Sequence, residues 1–365
     1  VRIPRDLHPV SWWVWAIGLA VGASFTTNPF LLALLLAVVT LTVLTCRSDQ
    51  PWARSFRLYV WLGVIVVVVR VLFRILLGGD VEGHVLFTLP SIPLPDLAAG
   101  IDLLGPFTRE ELLAATYEGT RLATLLIAAG AANALANPKR LMKSLPPALY
   151  EIGTAMTVAI SVVPQLADSA ARVRAAQQLR GGPEGRFGKV RGVRRLVVPI
   201  LEDSFDRSLA LAAGMDARGY GRTGDATPKE RRITGTLMIV GLIGVAVGVY
   251  AVLDSSAPRL LALPMLALGT ATALAGFAVA GRRVGRTRYR PDRWRLPEVL
   301  VATSGVAAGA GLWAVQHWDV AIAHPGVLVM PSITVPAVVA VLVGVVPVWV
   351  TPPPMTAQRR EEAFR

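Results

Sequence analysis

Apolar residues in this chain gather into long runs separated by polar loops. Eight of the runs approach the length of about 20 residues that an α-helix needs to cross a hydrocarbon layer. They lie near 11–26, 29–46, 57–77, 112–136, 233–253, 260–281, 298–316 and 330–350. The pattern predicts an all-α, polytopic membrane helix bundle in three parts. These are a four-span region at 1–136, a polar region at 137–232 and a membrane region of about four spans at 233–365. The first two runs meet at Thr27-Asn28-Pro29, a tight turn between antiparallel helices. Trp12, Trp13, Trp15, Trp52 and Trp61 fall near run ends, where indole rings anchor a span at the interface.

Composition agrees with a bilayer as solvent. The 365 residues are 53% hydrophobic and only 17% charged, with a mean hydropathy of +0.54. The formal net charge of +13 is carried largely by the loops, where membrane topology is the commoner cause of basic residues. Aromatic residues are not interleaved with Lys and Arg as a stacking platform needs, so nucleic acid is not an expected partner. Arg47, Arg54 and Arg57 at 47–57, seven arginines at 282–295, and Arg359, Arg360 and Arg365 in the tail mark the cytoplasmic side. The loop at 78–111 instead holds six acids against Arg109 as its one base. This alternation predicts eight spans in the plasma membrane with both termini in the cytoplasm. The first run lacks a small-residue cleavage pattern, so it is expected to be retained. The single Cys46 excludes an internal disulfide.

Helical periodicity continues through the polar region. Ile152 to Ala167 is nearly apolar enough for a ninth span, but it is short, contains Pro164 and has basic clusters on both sides. It is expected to lie along or just under the membrane surface. Ala159, Val162, Val163, Leu166, Ala170 and Val173 share one helical face, which Gln177 and Arg180 continue. After Gly181-Gly182-Pro183, a second helix places Val197, Ile200, Leu201, Phe205, Leu209, Ala212 and Met215 on one arc, with Asp203, Asp206 and Arg207 opposite. Each pattern ends in a matching tripeptide, Leu179-Arg180-Gly181 and Ala217-Arg218-Gly219. Glycine there takes the left-handed geometry of a helix terminus without strain.

These residues resemble the transmembrane T component of energy-coupling factor transporters, the group that includes the membrane subunit of cobalt importers. The resemblance covers roughly residues 1 to 253. It rests on Leu7-His8-Pro9, Phe107-Thr108-Arg109-Glu110-Glu111-Leu112 leading into a span with Arg121, Asn137-Pro138 and Val163-Pro164. It rests chiefly on Gln177-Gln178-Leu179-Arg180-Gly181 and Met215-Asp216-Ala217-Arg218-Gly219-Tyr220. It implies that the two Arg-Gly motifs end coupling helices and dock in grooves of two ABC-type ATPase subunits. It also implies a substrate-binding (S) membrane component, with ATP and Mg bound by the ATPases and no cofactor in this chain. Where the family usually ends after one span beyond the second motif, three further apolar runs follow here.

The residue chemistry fits that expectation. A guanidinium is a planar fork of donors that binds a carboxylate in a fixed direction, so Arg180 and Arg218 can carry force at a helix tip. An Arg before a terminal Gly also merely offsets a helix dipole, and one such site alone would be read that way. The stretch before Lys189 is not a phosphate loop, because Pro183 and Val190 stand where G-x-x-x-x-G-K-[ST] needs Gly and Ser or Thr. Hydrolysis of ATP must then lie in a separate subunit, and the chain is not expected to be an enzyme. Within the spans, Arg70 and Arg74 are one turn apart and Glu118 lies three residues before Arg121. Charges at that depth face the bundle interior, and we read these four as structural ion pairing. His8, His84, His317 and His324 are scattered and suggest no metal site. Gly244 with Gly248, and Gly305 with Gly309, allow close helix packing. The expected function is a membrane scaffold that relays ATPase motion to the S component for uptake of a vitamin or a transition-metal ion. The alternative is a stand-alone membrane enzyme or secondary transporter with a basic cytoplasmic loop.

Overall fold

The computed structural model describes residues 5–77, 83–90, 92–93, 102–144, 149–179, 188–219, 227–254, 258–282 and 292–353. The chain divides into two compact units, Val1–Leu141 with Asp292–Arg365, and Met142–Pro291.

In the first unit α1 (Pro9–Ser24) and α2 (Pro29–Cys46) each begin at a proline, whose fixed φ and missing N–H suit a first helical position. The residue before each proline supplies the cap. His8 Nδ1 accepts the N–H of Val10 at 3.3 Å and Asn28 Oδ1 that of Phe30 at 3.0 Å. A 3₁₀ turn at Pro51–Ser55 leads into α3 (Phe56–Leu77). The acidic loop that follows contains two short antiparallel pairings. β1 (Val85–Thr88) pairs with β4 (Pro106–Thr108), and β2 (Ile92–Pro93) with β3 (Asp102–Leu103). Phe87 stacks on Phe107 with ring centroids 5.2 Å apart. α4 (Arg109–Leu135) opens with a capping box, Thr108 Oγ1 accepting from the Glu111 N–H and the Glu111 carboxylate accepting from the Thr108 N–H. α5 (Pro138–Lys143) is one and a half turns long.

The same unit contains α10 (Leu296–Trp318), α11 (Val320–Ala323), α12 (Val335–Leu342), a 3₁₀ turn at Val343–Val345 and α13 (Pro347–Val350). α10 lies directly against α1. A Cβ added to Gly305 would sit 2.4 Å from the Trp15 backbone, and one added to Gly18 would sit 2.3 Å from Gly305. Gly309 faces the Gly18 carbonyl oxygen in the same way, at 2.6 Å. The crossing is therefore backbone on backbone, the close approach that small residues permit between membrane helices. Around it Trp15, Leu19, Leu31, Leu32, Leu35, Val38, Val39, Leu312 and Val341 are fully buried. Three polar side chains of the core find their partners across the same joint. Trp15 Nε1 donates to the Gly344 carbonyl at 3.0 Å, Thr26 Oγ1 to that of Ala323 at 2.8 Å, and Asn28 Nδ2 to those of Ile322 and Ser332 at 2.9 and 2.8 Å.

The second unit holds α6 (Tyr150–Leu179), α7 (Gly188–Ala217), α8 (Pro228–Leu253) and α9 (Arg259–Arg282). α8 starts at a capping box made by Thr227 and Glu230. It packs on α9 through another glycine seam. Built Cβ atoms would meet Gly269 from Gly244 at 2.8 Å, Ala273 from Gly241 at 2.5 Å and Leu266 from Gly248 at 2.6 Å.

Among the described residues five helices are long and apolar enough to cross a membrane: Pro29–Cys46, Trp52–Leu77, Arg232–Leu253, Ala262–Gly281 and Leu296–Trp318. Pro9–Ser24 and Val335–Val350 are apolar but shorter. The fourth expected run, 112–136, is helical from Arg109 to Leu135, but Glu110, Glu111, Glu118 and Arg121 make it less apolar than those five. The last run does not begin at 330. Its helix starts at Val335 and is divided at Val343–Val345, before Pro347, whose nitrogen cannot continue the hydrogen-bond ladder. α8 and α9 belong to the unit 142–291, whereas α10 to α13 lie in the first unit and pack with α1 and α2. Ile152 to Ala167 is the first half of one helix that runs through Pro164 to Leu179.

Gly305→Leu should force α1 and α10 apart and lower the stability of the detergent-purified protein by about 3 kcal/mol, the upper part of the usual overpacking range. Thermal unfolding checks this against Gly326→Ala, where a built Cβ meets nothing within 4 Å and no comparable loss is expected.

Candidate functional site

α6 and α7 each have 30 residues, about 45 Å of helix at 1.5 Å per residue. They are joined through one carboxylate. Asp203 on α7 accepts from Ser169 Oγ of α6 at 2.6 Å and from Arg207 Nε, one turn along its own helix, at 3.1 Å. Arg172 Nη2 of α6 lies 3.8 Å from the same carboxylate. Ser169 is buried. The hydrogen bond from Ser169, then that from Arg207, hold the Asp203 carboxyl below its ordinary value of 3.8. Periodicity had placed Asp203 and Arg207 on the polar side of α7, but it gave no sign that α6 pairs with that side. The available signals were the four-residue spacing of Asp203 and Arg207 and a serine beside the apolar stripe of α6.

This pairing leaves the apolar arc of α7 uncovered. Val197, Leu201, Phe205 and Leu209 are exposed, the last two at 65% and 69%, while Ile200 and Met215 are half-buried. On α6 the corresponding stripe is partly covered, with Val162, Leu166, Ala170, Val173 and Gln177 half-buried. α6 ends at Leu179, whose side chain is 89% exposed. Arg180 and Gly181 lie outside the described residues.

The second tip is described. α7 ends at Ala217, and the turn closes through the Arg218 N–H to the Met215 carbonyl at 3.1 Å and the Gly219 N–H to that of Asp216 at 2.9 Å. Gly219 has φ +74°, the left-handed residue that terminates a helix and that favours glycine. Arg218 is exposed and has no ion-pair partner among the described residues. A free guanidinium at the end of a long helix is chemically a docking group for a carboxylate or carbonyl on another protein.

The charges on α3 and α4 form a separate group. Arg70 pairs with Glu118 across the two helices. Arg74 Nη2 is 3.8 Å from Glu111 Oε1, an oxygen that is fully buried and has no hydrogen bond. Glu111, which sequence reading did not include among these charges, thus has two duties, capping α4 with one oxygen and facing Arg74 with the other. Arg121 is half-buried and makes no ion pair among the described residues. It bears on His324, whose pKa is lowered by burial first and by the Arg121 charge second.

His8, His317 and His324 are structural in their surroundings. Burial lowers the pKa of His8, which fits an imidazole that caps α1 with an unprotonated Nδ1, and its ring packs against Trp294 at 5.6 Å. His317 packs on Trp313 at 4.6 Å, and His324 Nδ1 faces Thr27 Oγ1 at 3.2 Å. Among the described residues no cluster of three or more His, Cys, Asp or Glu side chains could hold a metal ion.

Comparison with known proteins places this architecture. Residues 1–228 match the family model CbiQ, described as cobalt transport protein. The energy-coupling factor transporter transmembrane protein EcfT of Streptococcus equi subsp. equi strain 4047 is 31% identical over 217 residues, which cover 58% of this chain and 76% of that protein. EcfT of Lacticaseibacillus paracasei strain ATCC 334 is 29% identical over 217 residues, covering 58% and 78%. EcfT of Lactococcus lactis subsp. cremoris strain MG1363 is 24% identical over 238 residues, covering 60% and 82%. The matched segment holds α1 to α7 with both Arg-Gly tripeptides, so the chain belongs to the CbiQ/EcfT family of energy-coupling factor transporter transmembrane components.

Proposed function

We propose that this chain is the coupling scaffold of an ATP-driven importer in the plasma membrane, with both termini in the cytoplasm. It relays the closure of two ABC-type ATPase subunits, which bind ATP and Mg, to a membrane S component that carries a vitamin or a transition-metal ion. Arg180 and Arg218 are the contacts to the ATPases, with Gln177, Leu179 and Gly181 beside the first, and Met215, Ala217 and the helix-terminating Gly219 beside the second. The exposed arc of Val197, Leu201, Phe205 and Leu209 receives the S component. The carrying observation is the joint presentation, on one long helix, α7, of an exposed guanidinium with no ion pair among the described residues and an exposed apolar arc. A lever needs both, one end to be held and one side to push.

Mechanically the pair α6–α7 must move together, and the Asp203 junction with Ser169, Arg172 and Arg207 ties the two helices near their middles. Each helix also contains a proline, Pro164 and Pro199, which removes one backbone hydrogen bond and gives it a place to bend.

Purification of the tagged chain from native membranes in mild detergent should bring down ATP-hydrolysing subunits, and recovery of a lone active chain would contradict the proposal. Arg218→Glu should reduce co-purified ATPase by at least about tenfold, as for loss of a central interface arginine, while the melting temperature of the chain stays unchanged. Full recovery of ATPase with the reversed charge would show that the tip is only a helix end.

A second outcome concerns the lever. Asp203→Asn should accelerate amide hydrogen exchange in the middle of α6 several-fold and leave α10 unaffected. The pH dependence has a defined sign. The Asp203 pKa is lowered in the folded state, so its contribution is complete above the ordinary value of 3.8 and is lost as pH falls through the folded value. Protection of α6 by this carboxylate should therefore be constant from neutral pH to about 4 and decline only below it.

A further inference from the structure

The chain leaves its first compact unit after Leu141 and returns to it at Asp292. Arg140 and Asp292, next to these two crossings, are bound to each other. Arg140 Nε donates to Asp292 Oδ2 at 3.1 Å, and Nη2 of the same fork donates to the same oxygen. Arg140 Nη1 donates to the Asp6 carbonyl at 3.0 Å, so one guanidinium holds three segments: α5, the N-terminal strap and the segment before α10. Two further contacts bind the strap to that segment and to the first turn of α10. His8 packs on Trp294, and Arg5 Nη2 meets the buried Glu298 Oε2 at 3.0 Å. Glu298 also accepts the Arg295 N–H at 3.1 Å, closing the first turn of α10.

We propose that Arg140 is a positioning residue for coupling, and that with Asp292 it gathers both covalent connections to 142–291 into a single pivot. It rests on the coupling reading above, because a pivot matters only if 142–291 moves. Without the clamp, two independent tethers would join a moving part to the bundle, and displacement at α5 would be taken up as slack. With it, the exit and the return move as one point anchored to α1 and α10. The clamp depends on the segment after residue 291, which lies beyond the region matched by the family model, so it is a feature added with the C-terminal helices. The groups facing the pivot carry both signs, Arg5, Arg140, Asp292 and Glu298, and the pair is partly exposed, so salt weakens it.

The test uses charge reversal and swap in the full chain, purified with its native partners. Arg140→Asp and Asp292→Arg should each speed hydrogen exchange over 138–143 about tenfold. Each should also abolish the change in exchange that a non-hydrolysable ATP analogue produces over 292–298, without reducing the amount of co-purified ATPase. The double variant, with the charges exchanged, should recover both signals to at least half. Retention of the nucleotide response in both single variants, or a double variant no better than the singles, overturns the proposal. If no ATPase co-purifies, the coupling reading is what fails. The clamp is then still judged by exchange over 138–143 and its recovery in the swap.

Discussion

The bundle depends on the absence of side chains at one crossing. Gly18 and Gly305 bring the backbones of α1 and α10 into contact, and a Cβ at either position would lie inside the neighbouring main chain. A membrane interior offers little hydrophobic driving force between helices, so close packing and satisfied polar groups must hold them. The crossing supplies both. It sets α10 deep enough on α1 for the C-terminal segments to reach Trp15, Thr26 and Asn28 with backbone carbonyls. Asn28 shows how tight the fit is. Its oxygen caps α2 and its nitrogen holds two carbonyls from 322 and 332, so one side chain orders the turn between α1 and α2 and the loop after α11.

The paired helices α6 and α7 follow a different rule. Among the described residues a polar node joins them, and much of the apolar arc of α7 stays exposed. A hydrophobic seam would have buried the same surface and bound more tightly. An exposed carboxylate with serine and arginine partners holds register through directed hydrogen bonds while adding little to stability.

Much of this was legible in the sequence, and the reasons differ by feature. Long apolar runs, the Thr27-Asn28-Pro29 turn and the glycine-terminated end of α7 are local, because each is fixed by residues within one or two turns. Gly305 and Gly309 signalled a close crossing, but spacing alone cannot name the partner helix, so α1 emerged only in three dimensions. The charges on α3 and α4 show the same limit. The one-turn spacing of Arg70 and Arg74 marked a charged face, yet Glu111 read as a helix cap and its second contact with Arg74 was invisible. Hydropathy reports that a segment favours lipid and is silent about which segments share a core, so the packing of α10 to α13 with α1 and α2 left no mark in it. The short β pairings in the acidic loop were hidden for a related reason, since partners 9 to 23 residues apart leave no periodic trace.

The C-terminal helices give this family member a different mechanical problem from a chain that ends after α8. They cannot be a loosely attached appendage, since buried donors on α1, Thr26 and Asn28 have their acceptors there, and a buried donor left unpaired costs about 1–3 kcal/mol. Adding helices after residue 291 also means that the chain must come back to the bundle from 142–291, creating a second connection where a shorter chain has one. A second connection constrains motion unless its attachment point coincides with the first. The contacts of Arg140 with Asp292 and the Asp6 carbonyl bring the two attachment points together, and the stack of His8 on Trp294 extends that junction to the first turn of α1. The extra helices and the polar junction therefore belong to one structural solution, in which a larger core is gained and the two attachment points meet on it.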